Sequence, residues 1–125
     1  REDFAYAEGK WTVKEVVGHL SDCERVFAYR ALRFARNDPT ELASFDENAW
    51  VANAGFGRRR LADLVDEYDV VRQGTLRLAK SLNADELARR GVANGNALSV
   101  RALFYIIAGH ERHHVGLFRE RYQLS

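Results

Sequence analysis

Residues 103–114, reading LFYIIAGHERHH, constrain this chain more than any other stretch. His110 and His114 stand four residues apart, so a helix carries both on one face, one turn above the other. Leu103, Phe104 and Ile107 precede them, and Leu117 and Phe118 follow, at three- and four-residue steps. Both imidazoles therefore fall inside the stripe that faces a core. A pair of imidazolium charges there would be costly, so something has to account for them. His19, far away in sequence, lies in an equally apolar helical pattern. The simplest account is that His19, His110 and His114 converge on one metal ion.

The chain is long enough to bury a core, and residues 1–125 are read as a single domain. Its 19 basic and 18 acidic residues leave a net charge of +1, which gives no reason to expect a nucleic-acid partner. The one basic cluster, Arg58-Arg59-Arg60, reads as a solvated approach to a helix. A lone cysteine, Cys23, excludes an internal disulfide and fits a reducing cytoplasm. No apolar run approaches the ~20 residues that span a bilayer, so no membrane role is expected.

Strong start and stop signals divide the chain. Thr12-Val13-Lys14-Glu15 reads as a capping box, with Val13, Val16, Val17, Leu20, Phe27, Ala31 and Phe34 as the core stripe of a helix running to about Asn37. His19, Cys23, Val26 and Arg30 form a strip beside it. Asn37-Asp38-Pro39 ends that helix. A long connection over residues 38–60 follows, holding a possible short helix over 45–53; it suits either a pocket wall or a crossover capping one end of a bundle. Leu61, Leu64, Val65, Tyr68, Val71, Leu78 and Leu82 predict a second long helix, and Asp85 onward a further turn or two. Residues 91–96 read as a plain loop, and Ser99 as the cap of a last helix reaching about Tyr122. Residues 1–11 form an irregular lead-in in which Phe4 and Tyr6 can pack. Without convincing strands the class is all-α, and three long helices are one short of an up-down bundle.

Imidazole nitrogens suit zinc, nickel, copper or iron. Three of them on zinc leave a fourth position for water, the arrangement of catalytic sites, and lower the pKa of that water to about 7. His110, Glu111 and His114 match the HExxH pattern literally, with Glu111 either a general base or a solvated ion-pair partner. His113 falls off the stripe and reads as a flanking group. Cys23, one turn after His19, is the rival donor: a ligand, a metal-activated nucleophile, or an inert buried thiol. A fourth protein ligand of that kind would favour a structural site. Asp46 and Glu47 can reach the pocket as carboxylates that orient imidazoles, or Asp46 simply caps the short helix. The catalytic candidates are thus Asp46, Glu47, Glu111 and Cys23.

Four pieces of the chain resemble the DinB/YfiT-like superfamily. GKWTVKEVVGHL at 9–20 is similar to its opening motif, FDENAW at 45–50 to its connecting segment, and SVRAL at 99–103 to the lead-in of its last helix. GHERHH at 109–114, with RERY at 119–122, completes the order. The resemblance implies a four-helix up-down bundle holding zinc or nickel on three histidines, which map onto His19, His110 and His114. It also implies a further helix ahead of Gly9, apparently missing from this chain. The implied activity is that of a metal-dependent hydrolase; the alternatives are a thiol S-transferase using a small bacterial thiol, and a non-catalytic metal-binding or dimerisation module. A small-molecule substrate and a homodimer are expected, since exposed apolar helix faces favour pairing.

Overall fold

The first long helix, α1, is set by its cap. Thr12 Oγ1 accepts from the Glu15 amide at 3.2 Å, and the Glu15 carboxylate accepts from the Thr12 amide at 2.9 Å. Both halves of the expected capping box are present. From there α1 runs Val13–Ala35 in the computed structural model, which describes residues 10–121, with side chains through residue 113. The helix stops as the sequence predicts. Asn37 turns left-handed (φ 58°), the Asn37 amide donates to the Phe34 carbonyl, and the Asp38 amide to the Arg33 carbonyl. These are the two bonds of a Schellman ending.

Beyond α1 come α2 (Glu47–Ala54), a 3-10 turn (Phe56–Arg58), α3 (Leu61–Ser81), α4 (Ala84–Ala88), β1 (Arg90–Ala93), β2 (Asn96–Ser99) and α5 (Val100–Arg121). The fold is all-α apart from the hairpin β1–β2, which the plain-loop reading of 91–96 missed. Asn94 and Gly95 both take positive φ (51° and 73°), the pairing a two-residue type I′ turn requires. An Asn-Gly step between short apolar runs is the strongest local hairpin signal. Leu42 tethers the long connection to this hairpin: its amide donates to the Val92 carbonyl at 2.9 Å, and its carbonyl accepts from the Asn94 amide at 3.0 Å. The Ser99 hydroxyl accepts from the Ala102 amide at 3.0 Å and starts α5 as expected.

The middle helix is α1, with α5 packed on one side and α3 on the other. Two apolar clusters hold its ends. Near its start, Val13 and Val17 meet Phe56 and Leu64; Gly18 allows this, because a Cβ there would stand 2.4 Å from the Phe56 ring. Near its end, Ala31, Phe34 and Ala35 meet Leu82, Ala93, Val100 and Leu103. Burying side chains of this size contributes about 1.5–3 kcal/mol each, so the ends are fixed and the polar middle is carried between them. The expected α3 stripe needs one correction. Leu64 is buried, but Val65 is half exposed, because the face of α3 toward α1 continues through Tyr68, Arg72 and Thr75. Phe4 and Tyr6, and the side chains of Leu117 and Phe118, lie outside the described residues.

Candidate metal centre

His19 is buried on the polar middle of α1, and His110 reaches it from α5. Their Nε2 atoms lie 3.2 Å apart, with ring centroids 4.9 Å apart and planes at 78°. Two imidazoles bound through Nε2 to one tetrahedral zinc place those nitrogens roughly 3.3 Å apart and the centroids roughly 5 Å apart. Nitrogens aimed straight at each other across 3.2 Å would separate the centroids by about 5.5 Å. The rings are therefore not collinear, and both separations are compatible with a shared ion. Trp11, just before the cap of α1, stacks on His19 with centroids 4.5 Å apart and closes one side of the site.

Cys23 is the third donor in this cluster among the described residues; its ligand atom and those of the two histidines lie within 4.8 Å of one another. Proximity alone does not make it a ligand of the same ion. Its Sγ lies 3.5 Å from His19 Nδ1 and 3.7 Å from His19 Nε2, so it sits beside the imidazole. A sulfur sharing zinc with Nε2 would lie out along the nitrogen lone pair, more than about 5 Å from Nδ1. As it stands, Cys23 partners the other edge of the ring, where it can accept the Nδ1 proton and fix Nε2 as the donor.

His114 follows His110 by one turn of α5, and its side chain lies outside the described residues. The third histidine of the expected set is therefore a matter of helical spacing alone. His113 is exposed, as its place off the stripe implies.

Electrostatics single out Glu47 among the candidate acids. Burial pushes the Cys23 thiol up to about 12, with the charges of Glu47 and Asp22 adding and Arg30 opposing, so it is a neutral thiol at physiological pH. Burial holds His110 below the ordinary histidine range; Glu47 opposes this, and His113 reinforces it. Glu47, exposed in the first turn of α2, thus acts on both groups across the gap. Asp46 instead caps α2, accepting from the Ala49 amide at 3.1 Å.

Glu111 faces away from the histidines and takes part in an arrangement that the sequence reading left out. Arg72 of α3 donates three hydrogen bonds to buried Glu24 of α1, at 2.8, 3.0 and 3.2 Å, and one to Glu111 of α5 at 2.8 Å. The Thr75 hydroxyl donates to Glu24 at 2.7 Å, and Tyr68 meets Arg72 at 3.0 Å. Glu24 and Glu111 directly follow Cys23 and His110, so this clamp fixes the two helices that carry the donors. A signal was available: Glu24 stands between Leu20 and Phe27 in the α1 stripe, at the step where an apolar residue belongs.

On the far side of the strip from the clamp, α1 and the connection enclose a cleft of about 440 Å³ lined by Asp22, Val26, Arg30, Leu42, Phe45 and Trp50 among others. Phe27 joins it to the histidine pair, its ring 6.5 Å from Phe45 and 6.2 Å from His110, centroid to centroid. Residues 42–50 thus form a pocket wall.

The model of the DinB superfamily matches residues 3–118, nearly the whole chain. The chain belongs to the DinB superfamily. Its fold matches YfiT from Bacillus subtilis, described as a probable metal-dependent hydrolase with an unusual four-helix bundle topology. The TM-score is 0.73 at 20% identity, covering 95% of this chain and 71% of YfiT. No curated protein matches the chain in sequence. Among the described residues no helix is long and apolar enough to cross a membrane.

Proposed function

We propose that this DinB-superfamily chain is a metal-dependent enzyme of hydrolase type, holding zinc or nickel on His19, His110 and His114. The observation that carries this reading is the pair of Nε2 atoms 3.2 Å apart, with ring centroids 4.9 Å apart, as two ligands of one ion would stand. When bound, the ion supplies a Lewis acid with a position left for water or substrate. Around it the chain's own residues divide the work. Cys23 orients His19 from the Nδ1 side, and Trp11 shields it from solvent. Glu47 is the carboxylate whose charge reaches the site, so it is the candidate to take a proton from an incoming nucleophile. The YfiT description supports a hydrolase over the thiol-transferase alternative. We further propose a homodimer, supported by the exposure of Val70 and Tyr105.

Elemental analysis of protein purified without chelators tests the reading. About one equivalent of a transition metal is expected, lost in both His19→Ala and His110→Ala. Retention of a full equivalent in either variant would sink the proposed ligand set. A panel of esters and amides, each assayed before and after chelation, then separates hydrolase from binding module.

A further inference from the structure

Arg30 is only 7% exposed, yet no carboxylate pairs with it among the described residues. Its guanidinium donates to the Ala43 carbonyl at 2.8 Å and lies 5.8 and 5.6 Å from the Phe27 and Phe45 ring centres. A buried cation is ordinarily paired or neutralised, because stripping its water is expensive. The remaining N–H groups of Arg30 meet no protein acceptor among the described residues, and the residue lines the 440 Å³ cleft.

Two further charged residues line the cleft. Burial raises the Asp22 carboxyl above its ordinary range, with Arg25 opposing and Glu67 reinforcing, and Arg25 is held by Glu67 at 2.8 Å. Apart from Ser44, the rest of the wall is apolar or aromatic, with Val26, Leu42, Phe45 and Trp50 facing one space. That space falls within the range of small-molecule sites, which combine an apolar lining with a few placed polar groups. Phe27 stands between Arg30 and the histidine pair, its ring centre 5.8 Å from the Arg30 guanidinium carbon and 6.2 Å from the His110 ring.

We propose that this cleft is the substrate site and that it takes an amphiphilic organic anion, its apolar body against Leu42, Phe45 and Trp50 and its carboxylate on Arg30. The assignment rests on the metal-enzyme reading for the word substrate, but the binding itself does not. The carboxylate of such a molecule sits across the Phe27 ring from the histidine pair. The substrate is therefore an acid carrying its labile group well away from the acid function.

The test uses 2-naphthoate and its neutral counterpart 2-naphthalenemethanol, with 2-naphthylmethylamine as the cation. Trp11→Phe leaves Trp50 as the single reporter indole, since the chain has two tryptophans. In chelator-treated protein, 2-naphthoate is expected to quench Trp50 and bind at least 10-fold more tightly than the alcohol. Arg30→Gln removes that preference, and Arg30→Lys retains part of it. Trp50→Ala, at an exposed wall position and read by isothermal titration because it removes the reporter, weakens acid and alcohol alike. Equal affinity for acid and alcohol in the parent protein, or tighter binding of the amine, would overturn the proposal. Because no metal is needed, failure of the metal reading leaves this result standing. In metal-loaded protein 2-naphthoate inhibits turnover competitively; non-competitive inhibition would make the cleft a separate site and overturn its assignment to substrate.

Discussion

Replacing Arg72 by methionine keeps most of its aliphatic stem and removes the guanidinium that joins three helices. Glu24 would remain 3% exposed, with the Thr75 hydroxyl as its surviving donor. Breaking a buried ion pair from one side costs about 3–5 kcal/mol, because the stranded charge keeps its desolvation penalty. Arg72 is itself 24% exposed, so water can reach part of the gap and the low end, about 3 kcal/mol, applies. With an unfolding entropy near 2.1 cal/mol/K per residue, a chain of this length loses about 11 °C of Tm. The other arm of the clamp provides the comparison. Glu111 is 34% exposed, so Glu111→Gln gives up a solvent-screened contact and costs about 1 kcal/mol or less. Adding Glu24→Gln to Arg72→Met should recover part of the loss, since an amide is cheaper to bury than a carboxylate. Thermal unfolding by circular dichroism reads all four proteins. The reasoning fails if Arg72→Met lowers Tm by less than about 4 °C, if Glu111→Gln is as damaging, or if Glu24→Gln rescues nothing.

Metal-free protein should lose stability as the pH falls through about 6.5, the unfolded histidine value, because burial depresses His110 and the folded state resists its protonation. Urea midpoints between pH 8 and 5 should show that slope, and His110→Gln should flatten it. Gly91→Ala would place a Cβ 2.2 Å from the fully buried Phe34 ring, so the hairpin must lift from α1 at a cost of about 1–3 kcal/mol. An unchanged denaturant midpoint would contradict that packing. Cys23→Ser should lower metal affinity by about 10-fold, the usual loss for a group that orients a ligand, and the Co(II)-loaded parent should lack thiolate charge-transfer absorption. A strong near-ultraviolet thiolate band would put Cys23 in the coordination shell.

What the sequence made legible follows from what each signal depends on. The start of α1, its end at Asn37 and the start of α5 were readable because caps are local, with every partner within five residues. His19 and His110 were readable as a pair because a polar ring in an apolar stripe is anomalous on any helix. The hairpin was overlooked although Asn94-Gly95 announces it, because four-residue strands are too short for alternation to show. Arg72 could not be read in this way. Its meaning depends on α3 lying beside α1 with Glu24 facing it, and periodicity assigns faces without assigning neighbours.

The same limit explains Cys23 and Arg30, which share one strip of α1 with His19. Spacing puts His19, Cys23, Val26 and Arg30 on one side of the helix but cannot say what stands opposite. Two neighbours divide that strip. At its start α5 brings His110, and the polar groups there face one another. At its end residues 42–50 bring a carbonyl and two aromatic rings, so Arg30 meets an open apolar wall. Glu24, on the adjoining face, meets Arg72 and is neutralised. Of the two buried charges on the middle of α1, one is therefore spent on holding the helices together. The other has no carboxylate partner among the described residues and lines a cleft, and stability alone gives no reason to keep it there, since an apolar residue of similar volume would cost less to bury. That asymmetry is why Arg30, and not the clamp, points to a ligand.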